Sequence, residues 1–249
     1  MTKVSVVTVV YNAEKEIEKT IESVLAQNYE NLEYIIVDGL SKDGTGAIIN
    51  KYLANIDCFI SEKDNGIYDA MNKALKLVSG EWVIFLNAGD VFFSSNSIET
   101  VFKGLTESEL EEYCLIGGDV LFSTKEQEKV YKVKNVKERW ICMPACHQSL
   151  FIKSSVHKQY PYNLSYKICA DHELFIKLYE RGYRFLKSNN IVSVFKYDGL
   201  SATNRIDLYL EKLKIAKIYN APLCYISQLQ FIILKLKIAK ILRNWKVMS

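Results

Sequence analysis

Short unbroken apolar runs alternate with amphipathic stretches over the first 93 residues of this chain. Residues 4–10, Val-Ser-Val-Val-Thr-Val-Val, read as a strand buried on both faces, and Tyr11-Asn12 breaks the run. Between residues 14 and 27, Ile17, Ile21, Val24 and Leu25 recur at helical spacing. Residues 34–37 form a second apolar run ending at Asp38. A polar loop, Gly39-Leu-Ser-Lys-Asp-Gly44, leads into a short helix reaching about residue 53. Residues 58–60 predict a third strand. Ile67, Met71, Ala74, Leu75 and Val78 stripe the next helix, Gly80 stops it, and residues 82–86 form a fourth strand. This strand–helix alternation predicts an α/β fold with a mostly parallel, Rossmann-like sheet flanked by helices.

The pattern loosens beyond Phe93. Residues 97–105 predict a helix, 115–122 and 129–133 two strands joined as an antiparallel hairpin, and 149–152 a short strand. Residues 171–181 predict a helix with Leu174, Phe175 and Leu178 inward, and Phe185 and residues 191–195 further strand. Two basic amphipathic helices follow over 204–219 and 223–245, broken near Asn220-Ala-Pro222. The expected organisation is one domain over 1–204, with a regular strand–helix half to 93 and a looser half over 94–204. A basic helical tail would occupy 205–249.

Charge changes the picture only through its distribution. Net charge is +3, but from Arg205 onward nine Lys or Arg stand against Asp207 and Glu211, which leaves about −4 on residues 1–204. Residues 228–245 mix Phe231, Ile232, Leu234, Ile238, Ile241, Leu242 and Trp245 with Lys235, Lys237, Lys240 and Arg243. That mixture suits a helix lying on an anionic membrane, and equally a charged cover on the core. No apolar stretch reaches the roughly 20 residues of a spanning helix, and the first apolar run is too short and too soon followed by Glu14 and Glu16 for a signal peptide. Six cysteines without a CxxC pair point to a reduced, cytoplasmic setting. Cys142-Met-Pro-Ala-Cys146-His147 is one residue too long for haem attachment, and His147, His157 and His172 lack zinc-ligand spacing.

The candidate chemistry lies where strands end. Asn87-Ala88-Gly89-Asp90 directly follows the fourth strand, where open α/β sheets bind ligands. Ala88 and Gly89 let a ligand approach the backbone, and Asp90 can hold a divalent cation against two phosphates. Asp90 could also serve as a local cap. Asp38 ends the second strand and, with the turn Thr8–Asn12, faces the same crevice; its carboxylate can accept from a base or ribose, or simply turn the chain with Gly39. Tyr11 could stack on a base. Asp171 opens a helix as either a cap or a general base. His147-Gln148 precedes an apolar strand as possible pocket lining. Neither G-x-G-x-x-G nor G-x-x-x-x-G-K-[ST] occurs in the corresponding turns, which argues against a dinucleotide dehydrogenase and a P-loop NTPase.

Taken together, the segments 4–12, Ser23-Val-Leu-Ala-Gln27, Val37-Asp-Gly-Leu-Ser41, Asp43-Gly-Thr45, Lys63-Asp-Asn-Gly-Ile-Tyr-Asp-Ala-Met-Asn72, Phe85-Leu-Asn-Ala-Gly-Asp90, Ala170-Asp-His-Glu173 and Asp198-Gly-Leu-Ser201 resemble family 2 glycosyltransferases of the GT-A fold. The resemblance is to the branch that builds bacterial O-antigen, capsule and colanic-acid-type polysaccharides, and it covers about residues 3–204. It implies that Thr8, Tyr11, Asn12, Asp38, Asp64, Asn87, Ala88 and Asp90 bind a nucleotide-diphosphate sugar, with a UDP-sugar the first expectation. It implies that Asp90 holds Mg or Mn and that Asp171 is the base, with His147, Gln148 and His172 on the acceptor side. The acceptor it implies is a saccharide on a polyprenyl diphosphate, with the enzyme peripheral on the inner face of the bacterial inner membrane and no nucleic-acid partner. Two positions depart from the family pattern: Asn87 replaces the first acid of DxD, and Gly39 the second acid of the Asp-Asp-Gly-Ser loop. A non-catalytic nucleotide-sugar-binding protein and a sugar-phosphate nucleotidyltransferase are the alternatives. The latter typically carries a Gly-rich basic signature that Tyr11-Asn-Ala-Glu-Lys15 does not supply.

Overall fold

The computed structural model describes residues 2–123, 128–196 and 204–248; the match at Asp198-Gly-Leu-Ser201 lies outside them. Strands β1 (Val4–Val10), β2 (Leu32–Asp38), β3 (Cys58–Ser61) and β4 (Trp82–Phe85) pair in parallel in the order β3-β2-β1-β4. Five further strands extend this sheet: β5 (Val91–Phe92), β6 (Tyr113–Ser123), β7 (Glu128–Tyr131), β8 (Leu150–Lys153) and β9 (Arg184–Lys196). β8 runs antiparallel to β4 and β6, and β9 runs parallel to β6. β5 and β7 join antiparallel to β9 and β6. The parallel half matches the expected alternation, and the later half is mixed.

Alternate side chains of the parallel strands serve two cores, because successive residues point to opposite faces. Val7, Val9, Ile35, Val37, Val83 and Phe85 pack on one face with α3 (Ile67–Leu75) and α7 (Ala170–Glu180). Val6, Val10, Tyr34, Ile36, Trp82 and Ile84 pack on the other with α1 (Ile17–Leu25) and α4 (Ser97–Phe102). Each fully buried Val or Ile contributes roughly 1.5–3 kcal/mol. Helices α2 (Thr45–Asn50), α5 (Glu107–Glu112) and α6 (Ser154–Gln159) are short.

The basic segment forms α8 (Arg205–Ile218) and α9 (Leu223–Met248), separated at Asn220, whose φ is +54°. Ile215, Ala216, Ala221 and Leu229 belong to the same core as α3 and α7, so residues on both sides of the expected boundary at 204 pack together. Among the described residues no helix is long and apolar enough to cross a membrane.

In register, Val10 stands opposite Asp38, and Val7 opposite Phe85. The parallel strands therefore deliver Tyr11, Gly39 and Asn87 to one edge of the sheet.

Candidate active site

A cavity of about 950 Å³ opens at that edge. Tyr11, Asp64, residues 87–90, His147, Gln148, Asp171 and His172 line it.

The Asn87–Asp90 turn is held by α1. The Thr20 hydroxyl donates to the Asp90 carbonyl (2.8 Å) and accepts from the Gly89 amide (3.0 Å). Gly89 has φ +101°, a conformation costly for any side chain, and the Asp90 amide closes the turn on the Asn87 carbonyl at 2.9 Å. Asp90 itself is buried.

Gly39 has a spatial reason. A Cβ there would collide with the Asp64 carboxylate and lie 3.3 Å from the Tyr11 ring. The Asp64 carboxylate thus takes the space a side chain at residue 39 would need. Its other oxygen accepts from the Gly66 amide at 2.8 Å.

Three predicted contacts are placed differently. Thr8 is fully buried; its hydroxyl donates to the Leu86 carbonyl (2.8 Å) and lies 3.2 Å from the Tyr34 hydroxyl, joining β1 to the end of β4. Asn12, at φ +49°, accepts from the Lys42 amide, and its own amide donates to Ser41 (both 2.8 Å). Asp38 is buried and accepts from the Ser41 amide and hydroxyl and from the Ser61 hydroxyl. None of the three lines the cavity. Their side chains instead tie the strand ends to neighbouring segments, because a β-strand end surrounded by loops must satisfy its polar groups locally.

Asp171 is not the cap of α7. That position is Cys169, and the amides of Lys167, Ile168 and Cys169 instead donate to the Glu211 carboxylate of α8 at 2.8–3.0 Å. Asp171 is thereby left for the cavity. One oxygen accepts from the Tyr68 hydroxyl (3.2 Å) and the His172 amide (2.8 Å); the other lies 3.4 Å from His147 Nδ1. His147 Nε2 is 2.9 Å from the Asn87 amide nitrogen. In the neutral ring, with Asn87 donating there, Nδ1 carries the proton and points at Asp171. A polar relay thus runs from the Asn87–Asp90 turn through His147 to Asp171.

The electrostatics follow from this geometry. Burial disfavours charge on Asp171, but the His147 hydrogen bond and charge, with the His172 amide, outweigh it and hold the carboxyl below its ordinary value. Burial likewise opposes protonation of His147, and Asp171 together with Asp90 more than offsets it, raising its pKa. Burial and the charge of Asp171 keep the Tyr68 phenol protonated. His172 behaves differently: burial, then Lys212, push it down to about 4, and its Nε2 meets the Arg139 carbonyl. Gln148 is buried in the cavity wall.

Sequence reading missed Tyr68, Glu211 and Lys212. Tyr68 has the spacing of a core stripe, and the other two lie within a basic stretch that reads as a surface. Only tertiary packing brings them to Asp171.

The fold is that of the GT-A glycosyltransferases. The chain belongs to glycosyl transferase family 2, whose sequence profile matches residues 5–158. It is 26% identical over 210 residues to a PGL/p-HBAD biosynthesis glycosyltransferase of Mycobacterium bovis, covering 79% of this chain and 78% of the relative. It is 27% identical over 229 residues to the Escherichia coli UDP-Glc:alpha-D-GlcNAc-diphosphoundecaprenol beta-1,3-glucosyltransferase WfaP, covering 87% and 86%. Among solved structures, TarS 1-349 of S. aureus in complex with UDP-GlcNAc superposes with a TM-score of 0.70 at 18% identity, over 87% of this chain and 66% of that one. The mannosyltransferase PcManGT of Pyrobaculum calidifontis, in complex with GDP-Man and Mn2+, gives 0.68 at 19%, over 93% and 69%. At these identities the structural likeness is one of fold.

Proposed function

We propose that this chain is an inverting glycosyltransferase that moves a sugar from a nucleoside diphosphate, UDP foremost, to a saccharide on a polyprenyl diphosphate during assembly of a bacterial surface polysaccharide. The observation that carries the reading is the shared cavity, which Asp64, Asp90 and Asp171 all line. The name of WfaP supports both the UDP donor and the diphosphate-linked acceptor.

The Asn87–Asp90 turn fits a hard divalent ion, Mg or Mn. Asn87 Oδ1 is buried and accepts no hydrogen bond among the described residues, and it shares the turn with the Asp90 carboxylate. No group of three His, Cys, Asp or Glu gathers there among the described residues, so the remaining ligands would be phosphate oxygens and water, the usual arrangement for Mg. When bound, such an ion neutralises charge on the departing diphosphate.

The rest is the work of the protein's own residues. Tyr11 and Asp64 border the donor. Asp171, kept ionised by His147, takes the proton of an acceptor hydroxyl. The freed oxygen attacks the anomeric carbon as the bond to phosphate breaks, and in-line attack inverts the anomer. Tyr68 and the His172 amide fix the orientation of the carboxylate. A positioned base of this kind contributes about 10²–10⁴-fold.

The membrane side of the reading rests on α9. It buries Leu229 and Ile233 and exposes Phe231, Leu234, Ile238 and Ile241 beside Lys235, Lys237 and Lys240. Such a face suits the anionic inner leaflet, where a polyprenyl-linked acceptor is carried.

The test is a panel of UDP- and GDP-sugars offered with a synthetic lipid-diphosphate saccharide and read by product mass. The expected product gains one sugar residue from a UDP donor. UDP binding with neither transfer nor donor hydrolysis would instead identify a non-catalytic binding protein.

A further inference from the structure

We propose that Lys212, delivered by α8 and flanked by Lys167, binds the diphosphate of the acceptor, so that the C-terminal helix completes the active site. This rests on the reading above, in which the acceptor saccharide hangs on a diphosphate.

Lys167 and Lys212 line the same cavity as Asp64, Asp90 and Asp171. Lys212 lies near enough to Asp171 for the two charges to act on one another. An acceptor whose hydroxyl reaches Asp171 therefore has these ammonium groups within the cavity it occupies. Lys212 is only partly exposed, and its Nζ donates to the Ile141 carbonyl at 2.9 Å. The Tyr209 ring of its own helix lies 5.3 Å from Nζ. Among the described residues no carboxylate pairs with it.

An ammonium group has three donors, and one is spent on Ile141. Burial costs this cation more than the nearby charge of Asp171 returns, which lowers its pKa. A phosphate is the counter-charge that removes this cost, and lysine is a common point-charge phosphate binder. The position is rigid. Glu211, the preceding residue, is fixed by three backbone amides of the 167–169 segment, and Cys169 Sγ meets the Leu208 carbonyl at 3.6 Å. Phe122, Tyr131 and Phe195 form an aromatic cluster on the same cavity, with ring centroids 5.3–5.7 Å apart, an apolar surface for sugar faces or the first lipid carbons. Because α8 and α9 pack on one another, the helix face suited to a lipid surface and the phosphate-binding lysine form one unit.

The experiment compares two acceptors with the same saccharide, one on a lipid diphosphate and one on an uncharged ether lipid of equal length. Wild-type enzyme should prefer the diphosphate acceptor in kcat/KM. Lys212→Gln should reduce that preference about tenfold to a hundredfold, through the acceptor KM, as expected for loss of a charged hydrogen bond. Lys212→Arg should keep the preference. Lys167→Gln, at an exposed position where folding is not at stake, should reduce it by less. A preference unchanged in Lys212→Gln overturns the proposal. So does a loss shared equally by both acceptors, which marks a structural role, or a rise confined to the donor KM, which assigns the lysine to the donor diphosphate. Failure of wild-type enzyme to use either acceptor overturns the functional reading itself and this inference with it.

Discussion

His147 Nδ1 lies 3.4 Å from Asp171 Oδ2. The same imidazole meets Asn87 through Nε2, so the residue in place of the family's first DxD acid and the candidate base share one ring. An aspartate at 87 would add a second carboxylate against this ring. The asparagine leaves His147 to answer chiefly to Asp171 and Asp90, the two acids that raise its pKa against burial.

His147→Ala should therefore lower kcat by about tenfold to a hundredfold while the donor KM changes little, because the ring orients Asp171 and does not hold the nucleotide. Steady-state kinetics with donor and acceptor varied separately check this. A raised donor KM at unchanged kcat would assign His147 to donor binding.

Not every buried acid in the chain belongs to the site, and Glu33 is the contrast. It stands near the amino end of β2 and accepts from Ser5, Ser79 and Lys3. Burial raises its pKa, but these donors prevail and hold it at about 2 against an ordinary 4.5. A depressed carboxylate stabilises the fold fully above its unfolded value and loses that contribution as pH falls through the folded one. Glu33→Gln should cost about 1–3 kcal/mol at pH 7. The gap to wild type should narrow between roughly pH 5 and pH 2. Urea unfolding at pH 7 and pH 3 measures it, and a gap that widens in acid would contradict the assignment.

The membrane-facing role of α9 has its own test. Full-length protein should co-sediment with anionic vesicles at low salt and be released as salt rises, since each basic residue near such a surface is worth about 1 kcal/mol. Leu234→Glu combined with Ile238→Glu, both at exposed positions, should leave the protein in the supernatant. Wild-type protein that stays in the supernatant at low salt would remove the membrane contact.

The parallel half of the fold is legible because its strands are buried on both faces and read as unbroken apolar runs. Val4–Val10 and Trp82–Phe85 stand close to where the pattern puts them. The later half is less legible. Helix α5 begins with a full capping box, Thr106 with Glu109, a signal present in the sequence but followed by no apolar stripe, and none of its residues is buried. Helix α6 and the two-residue β5 are too short for periodicity to reveal. Within the site, Asp90 and Asp171 could be anticipated because strand ends and helix starts are recognisable positions. The local bonding of Thr8, Asn12 and Asp38 could not, because it depends on Leu86, Lys42 and Ser61, partners supplied by other segments. The capping of the 167–169 amides by Glu211 is equally invisible, because it joins segments more than 40 residues apart.

The division of labour across the cavity is tested most directly by titrating UDP with Mn2+ into wild type, Asp171→Asn and Asp90→Ala, alongside the transfer assay. Asp171→Asn should bind UDP as wild type does while transfer falls by about 10²–10⁴-fold. Asp90→Ala should bind UDP at least about tenfold more weakly in the presence of the metal. Wild-type turnover in Asp171→Asn, or undiminished metal-dependent UDP binding in Asp90→Ala, would contradict the account.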